Sequence, residues 1–383
     1  MADELFLGLI SGTSADAIDV ALVDFSSGTP TLVGAHAQPY ESGLRQGLLE
    51  LAQGDGSTRL DEVGALDTAV ADAFAAAAVA LLAEIGIEPH RVRALGSHGQ
   101  TVWHRPHAQR PFSLQLGDPS RIAERSGCTV VADFRRRDLA AGGQGAPLLC
   151  ALHAAVLACP DEDRAVLNLG GIANLTLLPA DPGQPVTGFD TGPASGLLDA
   201  WAQRHLGTAF DRDGAFAARG QSRPELLARW LDEPYFALPA PKSTGREVFN
   251  LDWLSRRCEL QHWSPADVQA SLVSLTATTV AQALAQHMPG ASRVLACGGG
   301  VHNPVLMAAL QQALAAVLPA APAADRRAPV ILETTAAHGI DPDYMEAMGF
   351  AWLARETLAG RPGNLPAVTG ARGPRILGGI YPA

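Results

Sequence analysis

One local pattern occurs twice in this chain: an apolar strand, a tight turn of glycine and hydroxyl residues, then a second apolar strand. The first copy runs from Leu5-Phe6-Leu7-Gly8-Leu9-Ile10 through Ser11-Gly12-Thr13-Ser14 to Val20-Ala21-Leu22-Val23. The second runs from Val166-Leu167-Asn168-Leu169 through Gly170-Gly171 to Ile172-Ala173-Asn174-Leu175-Thr176-Leu177-Leu178. A β-hairpin with no bulk at its bend presents backbone N–H groups, which suits a polyanion such as a nucleotide phosphate tail. Glycine at a bend also simply supplies positive φ, and either copy alone reads equally well that way. Two copies about one domain length apart point to a duplicated α/β fold of two lobes around a cleft, in which facing turns clamp phosphate.

The 383 residues suffice for two cores. With 47% hydrophobic and 17% charged residues the balance is globular, and no apolar run reads as long enough to span a bilayer. The start, Met1-Ala2-Asp3-Glu4, is acidic where a secretory signal is basic, so a cytoplasmic protein is expected. A net charge of −11 argues against nucleic-acid binding, which needs phosphate neutralisation. The five cysteines lack C-x-x-C spacing and read as buried apolar residues rather than a disulfide or zinc framework. Lys242 is the only lysine, and no glycine precedes it, which excludes a Walker P-loop.

Hydrophobic periodicity predicts helices over 60–85, 267–287 and 342–359, and strands at 92–97, 129–134, 186–189 and 293–297. The segment Ala141-Gly142-Gly143-Gln144-Gly145-Ala146-Pro147 reads as a flexible turn and a hinge, opening a helix through Leu157. The expected lobes are 1–145, with the C-terminal helix of 342–383 packing back on it, and 146–341. The segments 233–245 and 319–329 read as loops.

Asp190, in Asp190-Thr191-Gly192-Pro193 between a strand and a helix, is placed either as a general base or as a turn aspartate. An aspartic protease needs two such loops, and the chain has one. Gly298-Gly299-Gly300 follows a strand and either lets a nucleoside approach the backbone or makes a packing turn. Ser97-His98-Gly99-Gln100-Thr101 offers hydrogen-bonding side chains for a sugar in His98, Gln100 and Thr101, while a His98/His104 metal pair lacks a third ligand. Asp133-Phe134-Arg135-Arg136-Arg137-Asp138 is the densest cationic cluster, suited to a carboxylate or simply to solvent. Glu333 ends a strand, facing a sugar hydroxyl or water.

Together with Gln115-Leu116-Gly117-Asp118-Pro119-Ser120 and Lys242-Ser243-Thr244-Gly245-Arg246-Glu247, these motifs resemble the anhydro-N-acetylmuramic acid kinase family over nearly the whole chain. That family belongs to the larger group with the actin, hexokinase and Hsp70 nucleotide-binding fold, of ribonuclease H-like duplicated lobes. One departure is Ala15-Asp16-Ala17-Ile18-Asp19, where the family usually has leucine and glycine around the first aspartate.

The resemblance implies an ATP- and Mg²⁺-dependent kinase that opens the 1,6-anhydro ring with water and phosphorylates O6, in peptidoglycan recycling. It implies Asp190 as the base. ATP contacts would come from Gly12, Thr13, Ser14, Asp16, Asp19, Gly170, Gly171 and Gly298 to Gly300, with Gly299 among them. Asp16 or Asp19 would hold the metal. Sugar contacts would come from His98, Gln100, Thr101, Arg135, Asp138 and Glu333. A homodimer without nucleic-acid or membrane partners is expected. The alternatives are a plain sugar kinase of the same fold and an ATP-switched binding module.

Overall fold

The computed structural model describes residues 4–12, 14–54, 57–246, 248–318 and 329–383. Thr13 of the first turn, Glu247 and the loop expected from 319 onward as far as 328 lie outside the described residues. The chain divides into two compact units, Met1–Val156 with Tyr344–Ala383, and Leu157–Asp343.

In the first unit, β1 (Leu5–Ser11), β2 (Ala17–Asp24) and β3 (Thr31–Pro39) form an antiparallel meander. β4 (Val92–Arg105) lies parallel to β1, β5 (Phe112–Leu116) folds back on the far half of β4, and β6 (Val130–Ala132) lies parallel to β4. Every residue of β1 is buried, because helices cover both faces, and its sequence is accordingly an unbroken apolar run. Helix Leu60–Ile85 packs on one face through Val70, Phe74 and Leu81. Helix Met345–Leu358 packs on the other, so closely that a methyl on Gly8 or Gly96 would overlap the carbonyl oxygens of Ala347 and Phe350. Those glycines permit backbone-to-backbone contact.

In the second unit, β7 (Arg164–Leu169), β8 (Ile172–Leu178) and β9 (Thr187–Pro193) form the meander. β10 (Arg293–Cys297) lies parallel to β7, and β11 (Ile331–Thr334) parallel to β10. The C-terminal segment returns to the first unit, where β12 (Gly379–Tyr381) pairs antiparallel with β6. The orders β3-β2-β1-β4-β6 and β9-β8-β7-β10-β11 match in sequence and direction, so the chain is a duplicated ribonuclease H-like, actin-like fold.

Several expectations need correction. The second bend is tight, with only Gly170 to Ile172 between the Leu169 and Ala173 pair; the first connection, between the paired Ile10 and Asp19, is longer and contains a turn closed by the Ala15 amide on the Gly12 carbonyl at 3.1 Å. β9 does not stop at Phe189; it runs through Asp190 to Pro193, opposite Ile172. The strand expected at 129–134 is only Val130–Ala132, and Phe134 already begins a helix. The 141–147 segment expected as a hinge lies inside the first unit, before the division at Val156. Helices Leu60–Ile85 and Pro265–His287 are in fact long and apolar enough to cross a membrane by length and composition. Alanine, rather than a leucine-rich run, supplies much of that apolarity, and both helices wall the cores of their own units.

Candidate functional site

The second unit gathers its candidate groups at one end of its sheet. Parallel strands β7 and β10 end there, at Asn168 opposite Cys297, and β7 turns at Gly170-Gly171. Ligands in α/β sheets characteristically sit outside the carboxyl ends of strands. Asn168 pairs with Asn174, and Asn174 with Asp190, so three polar residues form one row across β7, β8 and β9 among buried apolar neighbours. Side chains directly opposite in neighbouring strands share a face at about 5 Å spacing.

Asp190 is held from several directions. Its backbone N–H donates to the Lys242 carbonyl at 3.0 Å, and its own carbonyl accepts from the Tyr235 hydroxyl at 2.8 Å. The Thr244 amide donates to Asp190 Oδ2 at 2.9 Å, fixing the carboxylate. Burial, and then the charge of Asp190, raise the Tyr235 phenol well above its ordinary range, so it stays a neutral donor. Lys242 Nζ donates to the carbonyls of Tyr235 and Phe236, both at 3.1 Å, and lies 4.7 Å from the centre of the Tyr235 ring. The only lysine is therefore an anchor of the loop that holds Asp190, with its own basicity lowered by burial. Thr244 Oγ1 is buried with no hydrogen-bond partner among the described residues, next to its amide contact with Asp190.

The glycines divide into two kinds. Gly298, at φ 81°, leaves no room for a side chain, because a methyl there would meet Asn168 Oδ1 at 2.5 Å; on Gly300 it would meet Leu169 Cβ at 2.6 Å. Both are packing glycines that seat the β10 turn on the end of β7. Gly299 instead faces open space, and a methyl on Gly170 would make only an ordinary contact, with the Ile172 carbonyl oxygen at 3.6 Å. The carbonyls of Gly170 and Gly171 accept the first amides of helix Ser195–Leu206, from Ala194, Ser195 and Gly196 at 3.0–3.1 Å. Against this turn lies the guanidinium of Arg246, whose Nε is 3.1 Å from where a Gly171 methyl would stand.

In the first unit, a pocket of about 400 Å³ opens where the middle of β4 passes the carboxyl end of β6, lined among others by Asp67, Ser97, Gln115, Asp118, Asp133 and Arg136. That is within the size range of small-molecule sites. Asp133 follows β6 in the left-handed region, φ 63°, a conformation that costs a non-glycine residue about 1 kcal/mol or more. Burial raises its carboxyl pKa, against the opposing charge of Arg136 at 3.5 Å. Ser97 Oγ is buried and has no partner among the described residues. Gly96 abuts helix Met345–Leu358, so strand alternation turns Ser97 to the opposite face, where the pocket lies.

The residues expected to hold sugar are mostly occupied by structural bonds. Arg135 donates through Nε and Nη2 to His98 Nε2 at 3.0 and 2.8 Å, and through Nη1 to the Gly145 carbonyl at 2.7 Å. Three of its five N–H donors are therefore taken within the protein, and burial lowers its pKa to about 10, partly offset by the charges of Glu346 and Asp138. His98 is kept neutral, its pKa pushed well down by burial and by the Arg135 charge. Asp138 is fully buried and accepts from Asn364, Thr369 and the Gly145 amide at 2.6–2.8 Å. Glu333 is paired with Arg293 at 2.6 Å and His338 at 2.8 Å; His338, then Arg293, outweighs burial and lowers its pKa. Through Arg293 it joins Glu162 at the opening end of β7, away from the glycine turns. Both carboxylates are thus engaged by groups of the protein itself.

Gln100 Nε2 donates to the Gly12 carbonyl at 3.0 Å, bracing the first turn, and Thr101 Oγ1 accepts from Gln115 at 3.0 Å. Asp16 pairs with Arg45 at 2.6 Å, while a methyl on Gly12 would meet only Ser14 Oγ at 3.9 Å. Among the described residues no three His, Cys, Asp or Glu side chains gather as a metal cage, and His104 is turned to Ser113 at 3.0 Å. Asn174, Asp133, Gln115, Glu346 and Arg246 were not singled out individually from sequence. The strand-end position of Asp133 was the one legible signal among them.

The profile of the family described as anhydro-N-acetylmuramic acid kinase matches residues 4–383. Proteins curated under that name include one from Xanthomonas campestris pv. campestris strain 8004, 57% identical over 99% of this chain and 97% of the relative. Others come from Xylella fastidiosa, 56% identical over 99% and 96%, and Photobacterium profundum, 46% identical over the full length of both. The chain belongs to the anhydro-N-acetylmuramic acid kinase family.

Proposed function

We propose that this kinase hydrolytically opens the anhydro ring of 1,6-anhydro-N-acetylmuramic acid and transfers the γ-phosphoryl of ATP to O6, giving N-acetylmuramic acid 6-phosphate and ADP. The observation that carries the reading is the placement of Asp190 at the sheet end that bears the Gly170-Gly171 turn, its carboxylate held by the Thr244 amide. Asp190 takes a proton from water as the water oxygen bonds to C1. The C1–O6 bond breaks, and O6 attacks the γ-phosphorus as the bond to ADP breaks. Within the second unit we assign the phosphates to the backbone at Gly170, Gly171 and Gly299, beside which Gly298 and Gly300 pack on the end of β7.

The sugar is assigned to the pocket of the first unit, with Asp133, Gln115 and Ser97 for hydroxyl or amide groups and Arg136 for the lactyl carboxylate. His98 and Arg135 are positioning residues beneath it, revising their direct sugar role. Magnesium is usually held by one or two carboxylates plus substrate phosphates, and Asp19, or Asp16 on release from Arg45, is the residue that would contribute here; the ion would neutralise phosphate charge. We place the activity in the cytoplasm, in a homodimer, serving amino-sugar recovery from the cell wall.

The test is Asp190→Asn, which keeps the local bonds while removing the base. Turnover is expected to fall about 10²- to 10⁴-fold with ATP binding retained, and near-normal turnover would remove Asp190 from this role.

A further inference from the structure

We infer that Arg246 is a phosphate-contacting residue of the nucleotide site, and that its loop ties that contact to the position of Asp190. The inference rests on the reading of the second unit as the phosphate-binding unit.

The loop from Lys242 to Arg246 is fixed along its length. Lys242 anchors its start on the Tyr235 and Phe236 carbonyls, and Thr244 binds Asp190. The Gly245 carbonyl accepts the amides of Val248 and Phe249 at 3.1 Å, and Phe249 is buried against Tyr235, Phe236 and Trp253. Arg246 leaves this rigid frame exposed to solvent. Its guanidinium lies over Gly171 and Gly196: Nε and Nη2 are 3.1 and 3.2 Å from a methyl on the first, and Nε is 3.4 Å from one on the second.

Glycine at both positions leaves the space the guanidinium occupies. No hydrogen bond or ion pair of that guanidinium is found among the described residues, in a chain with a net charge of −11. A planar cation resting on a glycine turn suits the oxygens of a phosphate chain, which arginine can bind through two parallel bonds. A phosphate drawn to Arg246 also steadies Thr244, two residues away, and with it the Asp190 carboxylate. The base is then best positioned when the nucleotide is bound.

The experiment compares wild type, Arg246→Ala and Arg246→Lys by calorimetric titration with ADP and with adenosine, together with steady-state kinetics. Arg246→Ala is expected to bind ADP about 10- to 100-fold more weakly, as for loss of a charge-assisted hydrogen bond, with adenosine affinity unchanged. Its kcat should fall and its KM for ATP rise while the sugar KM holds, with Arg246→Lys intermediate. ADP affinity within twofold of wild type, or equal losses for ADP and adenosine, would overturn the assignment while leaving phosphoryl transfer intact. A wild type that binds no ADP would overturn both.

Discussion

Replacing Asp138 with alanine separates a structural carboxylate from a sugar ligand. The side chain is fully buried and accepts from Asn364 Nδ2 at 2.6 Å, Thr369 Oγ1 at 2.8 Å and the Gly145 amide at 2.8 Å. A buried donor left without a partner costs about 1–3 kcal/mol. Two of these donors keep a weaker alternative: Asn364 reaches the Gly373 carbonyl, and Thr369 the Leu365 carbonyl, each at 3.5 Å. The Gly145 amide bears the largest loss, and the net cost is about 3–5 kcal/mol. For a unit of this size about 2–4 °C of Tm follows each kcal/mol, so the transition of the first unit should fall by roughly 10 °C in scanning calorimetry. Protein that remains folded below that transition should keep its sugar KM. An unchanged Tm together with a raised sugar KM would refute the structural assignment and return Asp138 to the substrate.

Two further outcomes follow from side chains the mechanism does not use. Lys242→Met removes the anchor on the Tyr235 and Phe236 carbonyls; kcat should fall by less than about 10-fold, whereas loss comparable to Asp190→Asn would make the lysine a direct participant in catalysis. His153 is buried, and burial lowers its pKa from 6.5 to about 4. Between those values the unfolded chain binds a proton that the folded chain does not, so stability falls as pH drops through that window, by about 2 kcal/mol at pH 5. His98, shifted in the same direction, adds to the slope. His153→Leu should flatten the dependence of Tm on pH between 7 and 5, and an unaltered slope would contradict the assignment.

Long periodic elements were legible in the sequence. Helix Leu60–Ile85 has a sustained apolar pattern and Gly86 in the left-handed conformation after it, and β10 runs apolar from Val294 to Cys297 before glycine. β3 and β5 were not read, because half-exposed strands such as Thr31–Pro39 lack a continuous apolar signal. Asp190-Thr191-Gly192-Pro193 has turn chemistry, yet β8 supplies partners that extend the strand through it. The duplication was accessible from motif spacing, whereas the place of Asp190 inside β9, opposite Asn174, was not. The fate of Asp138 and Glu333 was not, because their partners Asn364, Thr369 and Arg293 are distant in sequence. The contact of Arg246 with Gly171 and Gly196 likewise arises only when the loop closes over the turn.

The most direct test of coupled ring opening and phosphorylation is mass spectrometry of the sugar product formed from 1,6-anhydro-N-acetylmuramic acid, Mg-ATP and ¹⁸O-labelled water. The account predicts a product carrying one phosphoryl group at O6 and one labelled oxygen at C1, formed with one ADP per sugar. A phosphorylated sugar with its anhydro ring intact and no label would contradict it.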